Sequence, residues 1–278
     1  MKFSLQAPAK INWFLTVTGK REDGYHDIVS PLQCVDLFDT LFFEEADGIE
    51  LVSDLDLPAK ENLVYKAAVL LKKHISYRGG ARITLKKEIP AAAGLGGGSS
   101  DAATTLLGLR RLWRLPVKDE DLIKLGAEIG SDVPFFLNGP FSLIEGRGEK
   151  VRSLEAKSSV SILLVKPDLS VSAAWAYKAH VTKLTKKYID IKLFCHALDG
   201  KDFSSLRHMI HNDLEKAVME KHHVIGEIKN MLVENGAVIS SMSGSGPTVF
   251  GVFDSVLQAR KASGNMGENW SRVVRTLI

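Results

Sequence analysis

The stretch IPAAAGLGGGSSDAATTLL, residues 89–107, decides the fold of this chain. Residues 79–90, which lead into it, alternate between apolar and polar side chains and end at Pro90. This pattern is typical of a half-buried strand. After it, apolar residues recur at helical spacing from about Ser100 to Arg114, and Pro116 closes that run. The sequence therefore predicts a strand, a glycine-rich loop and a helix in direct succession.

This loop has the chemistry of a phosphate site. A helix N-terminus presents unpaired N–H groups and a partial positive charge, which favour an anion. Glycines allow positive φ and close backbone approach, and the hydroxyls of Ser99 and Ser100 can reach a phosphate oxygen or its metal ion. The alternative is a serine-capped turn without a ligand. No lysine follows the glycines as a P-loop requires, and no dinucleotide-binding fingerprint is evident.

Composition narrows the class of protein. The 278 residues, 45% of them hydrophobic, can build a substantial core and predict two domains. With 36 basic and 33 acidic residues the net charge is only +3, which argues against a nucleic-acid partner. Cys34 and Cys195 as lone thiols indicate a reducing compartment and exclude a cysteine-rich zinc site. Neither a signal peptide nor a membrane-spanning apolar run is evident, so we expect a cytoplasmic protein without a membrane partner.

Four motifs in order carry a family resemblance. The first runs from PAKIN (residues 8–12) to GKREDGYH (19–26), the second is GLGGGSSDAA (94–103), the third is GSDVPFF (130–136), and the fourth is SGSGPTVF (243–250). Together they make the chain resemble the GHMP kinases over residues 8–250. Local patterns additionally predict a helix over residues 62–73 and a hairpin over residues 236–253.

The resemblance implies an α+β fold with the GHMP kinase architecture. Its N-terminal domain would resemble ribosomal protein S5 and cover residues 1–155, and its ferredoxin-like C-terminal domain would cover residues 156–278. The implied activity is transfer of the γ-phosphoryl group of ATP, with Mg²⁺, to an alcohol. The GYH and GSDVPFF motifs resemble members that phosphorylate the 2-hydroxyl of a cytidyl diphosphate-linked methylerythritol, on the non-mevalonate route to isoprenoid precursors. The alternatives are a GHMP kinase for another small alcohol and a nucleotide-binding module without catalysis. The oligomeric state is not predicted.

Catalytic roles follow from the resemblance for two residues. Asp132 matches the aspartate that accepts or orients the hydroxyl proton, and Lys10 matches a lysine that keeps this carboxylate ionised and stabilises transferred charge. Asn12 would hold the substrate or Lys10. The alternatives are a turn or helix-capping aspartate, a solvated lysine and a structural asparagine.

The resemblance also places the ATP site. Asn62 and Leu63 match positions that line the adenine pocket, with a helix cap and a core leucine as alternatives. Ala91–Ala93 stand where relatives often carry more glycine, which is a departure from the family pattern at the start of the loop. A hydroxyl of Ser99 or Ser100 is the expected protein ligand of the metal, whose ligand set is otherwise unknown. The phosphate-binding positions are Ala91, Ala92, Ala93, Gly94, Leu95, Gly96, Gly97, Gly98, Ser99, Ser100 and Asp101.

The cytidyl end of the substrate would lie between aromatic side chains. The resemblance implies that Tyr25 and Tyr177 stack on the cytosine and that His26 reads its edge. The alternative is two ordinary half-buried tyrosines. The loop with Gly244, Ser245 and Gly246 would pack beside the phosphate loop and the substrate diphosphate. The alternative for this loop is a hairpin turn.

Overall fold

The computed structural model describes residues 2–180 and 189–278. The strands of this part of the chain form two sheets. They are β1 Lys2–Asn12, β2 Thr16–Lys20, β3 His26–Ala46, β4 Ile49–Ser53, β5 Gly80–Lys86, β6 Phe141–Gly146, β7 Lys150–Ser153, β8 Ser161–Lys166, β9 Ile239–Met242, β10 Val249–Phe253 and β11 Trp270–Arg275. The helices are α1 Leu63–His74, α2 Gly97–Leu112, α3 Asp119–Ile129, α4 Val133–Asn138, α5 Ala173–Ala179, α6 Ile191–Asp199, α7 Phe203–Met209, α8 Glu215–Lys221, α9 Val224–Glu234 and α10 Val256–Ser263.

The chain forms two compact units. Unit 1 contains the chain up to Ala9 together with Leu37–Ala91 and Gly96–Gly139. Unit 2 contains Lys10–Asp36, Ala92–Leu95 and Pro140–Ile278. The backbone therefore passes between the units several times, and the glycine-rich loop contributes to both.

Unit 1 packs four helices, α1 to α4, with β4, β5 and the second half of β3. Strand β5 pairs antiparallel with β3, where Leu85 lies opposite Leu41, and parallel with β4, where Ile83 lies opposite Leu51. Apolar side chains at helical spacing on α1 and α2 bury against this sheet. The core of unit 1 includes Leu41, Phe43, Val64, Leu71, Ile83, Leu106 and Leu109. This core holds the N-terminus of α2 in place.

Unit 2 is organised around an antiparallel sheet in the order β11–β8–β10–β9. Its central strand β10 is buried at all five positions, which explains its continuous run of apolar residues. The unit also contains β2, the first half of β3, β6 and β7, paired antiparallel around β3. Its core includes Leu163, Val165, Leu214, Ile225, Leu232, Val249 and Phe253.

Most local predictions are confirmed, with small shifts at the ends. The predicted hairpin over residues 236–253 is formed by β9 and β10, and the predicted helix over residues 62–73 is α1. The helix expected from Ser100 begins earlier, at Gly97, because Gly96 makes the turn in a left-handed conformation. The predicted domain boundary at residues 155/156 stays a prediction. No helix within residues 2–180 or 189–278 has both the length and the apolar character needed to cross a membrane.

Candidate active site

The N-terminus of α2 has the geometry of an anion site. Gly94 and Gly96 both have positive φ, at 76° and 72°, so the loop turns sharply into the helix. The amide of Ser100 bonds to the carbonyl of Gly96 at 2.9 Å and begins the helical ladder. The three amides before Ser100 consequently have no acceptor inside the helix. These N–H groups and the helix dipole favour a phosphate here.

Gly97 needs to be glycine because of close packing, and not because of a positive φ. It is the first helical residue and does not have positive φ. A β-carbon on Gly97 would lie 2.9 Å from Cγ2 of Ile89 and 3.2 Å from Nζ of Lys87. Close packing, and not backbone conformation, excludes a side chain at this position.

The residues at this helix end fit a magnesium ion held with the phosphates. The Ser100 hydroxyl is fully buried and has no hydrogen-bond partner. The Ser99 side chain is half-buried, and its hydroxyl would lie 3.9 Å from a β-carbon on Gly130. Mg²⁺ prefers oxygen ligands and is usually held by few protein groups together with substrate phosphates. Ser99 is therefore better placed than the buried Ser100 to reach such an ion.

Asp132 lies in the short turn between α3 and α4. The turn is closed by the Val133 amide, which donates to the carbonyl of Gly130 at 3.1 Å. Asp132 occupies the cap position of α4, but its side chain does not cap that helix and is half-buried. The helix-capping alternative for this carboxylate therefore does not hold.

Asn62 and Leu63 stand at the start of α1 in unit 1. The Asn62 side chain accepts a hydrogen bond from the Val64 amide at 2.9 Å, so the asparagine caps this helix. Cδ1 of Leu63 would lie 3.6 Å from a β-carbon on Gly98. Leu63 thus lies beside the first turn of α2 and also packs against the core of unit 1. The structural alternatives are observed for both residues, and their place in an adenine pocket stays a prediction.

Lys10 lies near the end of β1 and donates to two neutral oxygen atoms. Its side chain is buried, and Nζ donates to Oδ1 of Asn12 at 2.7 Å and to the carbonyl of Gly94 at 3.0 Å. Its backbone amide donates to the carbonyl of Leu95 at 2.9 Å. Lys10 is thereby tied to the segment of the glycine-rich loop that belongs to unit 2.

A buried hydrogen-bond chain fixes the amide of Asn12. The Ser30 hydroxyl donates to the carbonyl of Phe14 at 2.6 Å, so this hydroxyl can accept a hydrogen bond from Nδ2 of Asn12, which lies 2.8 Å away. The amide group must then direct Oδ1 toward Lys10. Ser30 thus determines which side of Asn12 meets the ammonium group.

The second Gly-Ser-Gly loop contacts the first one within unit 2, as expected. The Ser243 hydroxyl donates to the carbonyl of Gly94 at 3.0 Å, and the Thr248 amide donates to the carbonyl of Ala93 at 3.2 Å. A β-carbon on Gly94 would collide with the carbonyl oxygen of Ser243. Nδ2 of Asn212 supports the loop from its other side and donates to the carbonyl of Gly244 at 2.7 Å.

The aromatic side chains expected to bind a base all belong to unit 2, and two of them stack on each other. Tyr177 on α5 stacks on His26, with ring centroids 5.6 Å apart and ring planes inclined by 21°. Tyr25 is 55% exposed, and its ring lies 5.4 Å from the Arg147 guanidinium. Burial lowers the pKa of His26, and the positive charges of His180 and Lys20 act in the same direction. A neutral imidazole offers one donor and one acceptor, which suits the edge of a nucleobase.

The sequence did not reveal several residues that support the site. Ser30, Asn212 and Ser243 act through backbone or amide contacts over long sequence separations, for which a single sequence gives no signal. Lys87 forms ion pairs with Asp39 and Asp101 behind the N-terminus of α2. The alternation of β5 could have indicated that Lys87 changes face relative to Lys86.

Comparison with known proteins agrees with this geometry. Residues 62–140 match the GHMP kinases N terminal domain, and residues 191–272 match the GHMP kinases C terminal domain. A 4-diphosphocytidyl-2-C-methyl-D-erythritol kinase of Thermodesulfovibrio yellowstonii is 47% identical over 98% of this chain and 97% of its own length. The chain belongs to the GHMP kinases, in the group of 4-diphosphocytidyl-2-C-methyl-D-erythritol kinases.

Other relatives support the same placement within the GHMP kinases. The kinase of the same name from Caldanaerobacter subterraneus is 43% identical over 92% of this chain and 90% of its own length. A crystal structure of 4-(cytidine 5'-diphospho)-2C-methyl-D-erythritol kinase has a TM-score of 0.88 at 32% identity and covers 99% of both chains. A homoserine kinase from Cytophaga hutchinsonii has a TM-score of 0.77 at 20% identity, covering all of this chain and 95% of its own, which shows a shared fold. The predicted α+β GHMP kinase architecture is confirmed.

Proposed function

We propose that this protein transfers the γ-phosphoryl group of ATP to the 2-hydroxyl of 4-diphosphocytidyl-2-C-methyl-D-erythritol. The products are ADP and the 2-phosphate of the substrate, an intermediate of the non-mevalonate route to isoprenoid precursors. The full-length relative of that name at 47% identity carries the proposal. The alcohol oxygen forms the new bond to the γ-phosphorus, and the bond from this phosphorus to the bridging oxygen of ADP breaks. A cytoplasmic location is part of the proposal and is tested by fractionation of the source cells.

In unit 1, the N-terminus of α2 binds the ATP phosphates and Asp132 accepts the proton of the 2-hydroxyl. The unpaired amides before Ser100 supply donors that are already oriented, so little reorganisation is needed when ATP binds. Asp132 stands at the start of α4 with a half-buried side chain. Proton acceptance by such a group contributes about 10²–10⁴-fold to a rate.

In unit 2, Lys10 stabilises the negative charge of the transferred group. Asn12 and the carbonyl of Gly94 fix the position of its ammonium group, and both of these contacts are to neutral oxygen atoms. Gly244, Ser245 and Gly246 in the second loop bind the diphosphate of the substrate, since backbone amides in a glycine-rich turn form an anion-binding surface. The amide of Gly246 donates to the carbonyl of Ser243 at 2.9 Å, so the amides of Gly244 and Ser245 supply the donors.

Magnesium bound with the phosphates neutralises part of their charge. Ser99 is the residue that would hold it, because its hydroxyl lies at the exposed end of α2. The described residues contain no group of three histidine, cysteine or carboxylate side chains placed for a metal ion. The protein would therefore hold this ion through the Ser99 hydroxyl, together with the phosphates.

Tyr177 and His26 bind the cytosine at the other end of the substrate. The stacked pair already has the spacing of an aromatic contact, and the ring of Tyr25 lies on the same polar loop. The neutral form of His26 can both donate to and accept from a base edge. The substrate is thereby selected at its cytidyl end, away from the alcohol that reacts.

A substrate panel tests the proposal. The protein is incubated with magnesium-ATP and, separately, the cytidyl substrate, mevalonate and homoserine, and ADP formation is followed. We expect ADP and a phosphorylated product with the cytidyl substrate alone. Turnover with mevalonate or homoserine in its place would indicate a GHMP kinase for another alcohol. ATP binding without turnover of any alcohol would indicate a nucleotide-binding module.

A further inference from the structure

Lys87 lies in a buried ionic cluster that the proposed chemistry does not use. Its ammonium group forms ion pairs with Asp39 and, at 2.7 Å, with Oδ2 of Asp101. Asp39 is fully buried, Asp101 is 2% exposed, and the Lys87 side chain is 10% exposed. Burying three charged groups is costly unless they pair closely, so this cluster fixes the relative positions of its members strongly.

The three residues lie on the elements that enter and leave the glycine-rich loop. Lys87 directly follows β5, Asp101 lies in the second turn of α2, and Asp39 belongs to β3. Oδ1 of Asp39 also accepts hydrogen bonds from the amides of Glu88 and Ile89, at 2.6 and 2.9 Å. One cluster therefore holds both ends of the segment between residues 88 and 100.

The ammonium group also lies directly behind the phosphate-binding turn. Its Nζ would be 3.2 Å from a β-carbon on Gly97, the first residue of α2. Burial raises the pKa of Asp101 to about 7, while the charge of Lys87 opposes this rise. Without Lys87, two buried carboxylates would lose their cationic partner behind a site that must accept an anion.

We infer that Lys87 is a positioning residue for ATP: through Asp39 and Asp101 it holds the glycine-rich loop in the conformation that binds the phosphates. The inference rests on the proposed function, in which this loop binds ATP. It concerns affinity and not the chemical step. A loop held at both ends loses less conformational entropy when the nucleotide binds.

The test measures the dissociation constant for magnesium-ATP directly, in the absence of an alcohol substrate. Lys87→Met should raise this constant at least about tenfold. Asp101→Ala leaves the Lys87–Asp39 pair balanced in charge and should raise it about fivefold. Asp101→Asn keeps an oxygen acceptor for Lys87 and should raise it less than Asp101→Ala does. Lys86→Met is the matched control, because Lys86 is the exposed neighbour on β5, and it should have no effect.

The outcomes separate the inference from the proposed function. A folded Asp101→Ala or Lys87→Met protein with unchanged ATP affinity would overturn the inference, even if its unfolding temperature had fallen. If Lys87→Met does not fold, Asp101→Ala and Asp101→Asn decide the matter, and equal ATP affinity in these two would overturn it. Failure of the unaltered protein to bind magnesium-ATP would contradict the proposed function, and the inference with it.

Discussion

Two lysines lie beside the glycine-rich loop, one in each unit, and the protein holds them in different ways. Lys87 in unit 1 donates to two carboxylates, Asp39 and Asp101. Lys10 in unit 2 donates to a side-chain amide oxygen and a backbone carbonyl. Carboxylates cancel a lysine's charge, whereas the two oxygen atoms that Lys10 contacts here are neutral. We expect Lys87 to order the loop and Lys10, as proposed, to contribute charge to the reaction.

The largest expected effect comes from Asp132 in unit 1. Asp132→Asn should lower kcat by about 10²–10⁴-fold, because the amide keeps the shape of the side chain but cannot accept the proton. The dissociation constant for ATP should remain close to that of the unaltered protein. Near-normal turnover would remove Asp132 from the mechanism. The role of unit 1 would then be limited to binding ATP.

Tyr177 tests whether unit 2 also selects the substrate. Loss of one base–aromatic stacking contact costs about 1–3 kcal/mol, so Tyr177→Ala should raise the KM for the cytidyl substrate about 5- to 150-fold. The KM for ATP should not change. Tyr25→Ala should have a smaller effect, because Tyr25 is exposed and lies near Arg147 and not in the stacked pair. Equal weakening of both substrates would indicate misfolding instead.

Ser30 tests the hydrogen bonds that hold the Asn12 amide beside Lys10. In Ser30→Ala the Asn12 amide loses the acceptor for Nδ2 and can rotate, which weakens its hold on the ammonium group. We expect kcat to fall by roughly tenfold at most, the value of one net hydrogen bond, with ATP affinity unchanged. Ser30→Thr keeps the hydroxyl and should restore the rate. A rate unaffected by Ser30→Ala would show that Asn12 holds Lys10 without this support.

Ala92 should give the smallest effect. Its φ of 49° lies in the left-handed region, which costs a residue with a β-carbon about 1–2 kcal/mol. Ala92→Gly should therefore raise the free energy of unfolding by about 1 kcal/mol. Ala91→Gly is the control and should lower it, because Ala91 does not have positive φ. Chemical denaturation of both variants measures this difference, and a lower stability of Ala92→Gly would show that the loop is not strained there.

The sequence predicted those parts of the protein that depend on local patterns. The strand, loop and helix around residues 89–107 follow from alternation, glycine and helical spacing, and the hairpin around β10 follows from its apolar run. Contacts between distant segments were not predictable in this way. The bond from Ser243 to Gly94 joins residues 149 positions apart, and the bond between Asn12 and Ser30 requires the register of two strands. The pairing of His26 with Tyr177 likewise depends on how α5 packs in unit 2.

The most direct test of the comparison measures the rate of ADP formation by Lys10→Met and Lys87→Met side by side. Both variants are given the cytidyl substrate, and magnesium-ATP is raised toward saturation. Lys10→Met should remain about 10²–10³-fold slower than the unaltered protein even at saturating ATP, since the charge needed in the transition state is missing. Lys87→Met should approach the normal rate as ATP saturates, because only affinity is reduced. Recovery of Lys10→Met at high ATP, or a persistent loss in Lys87→Met, would contradict the different roles assigned to the two lysines.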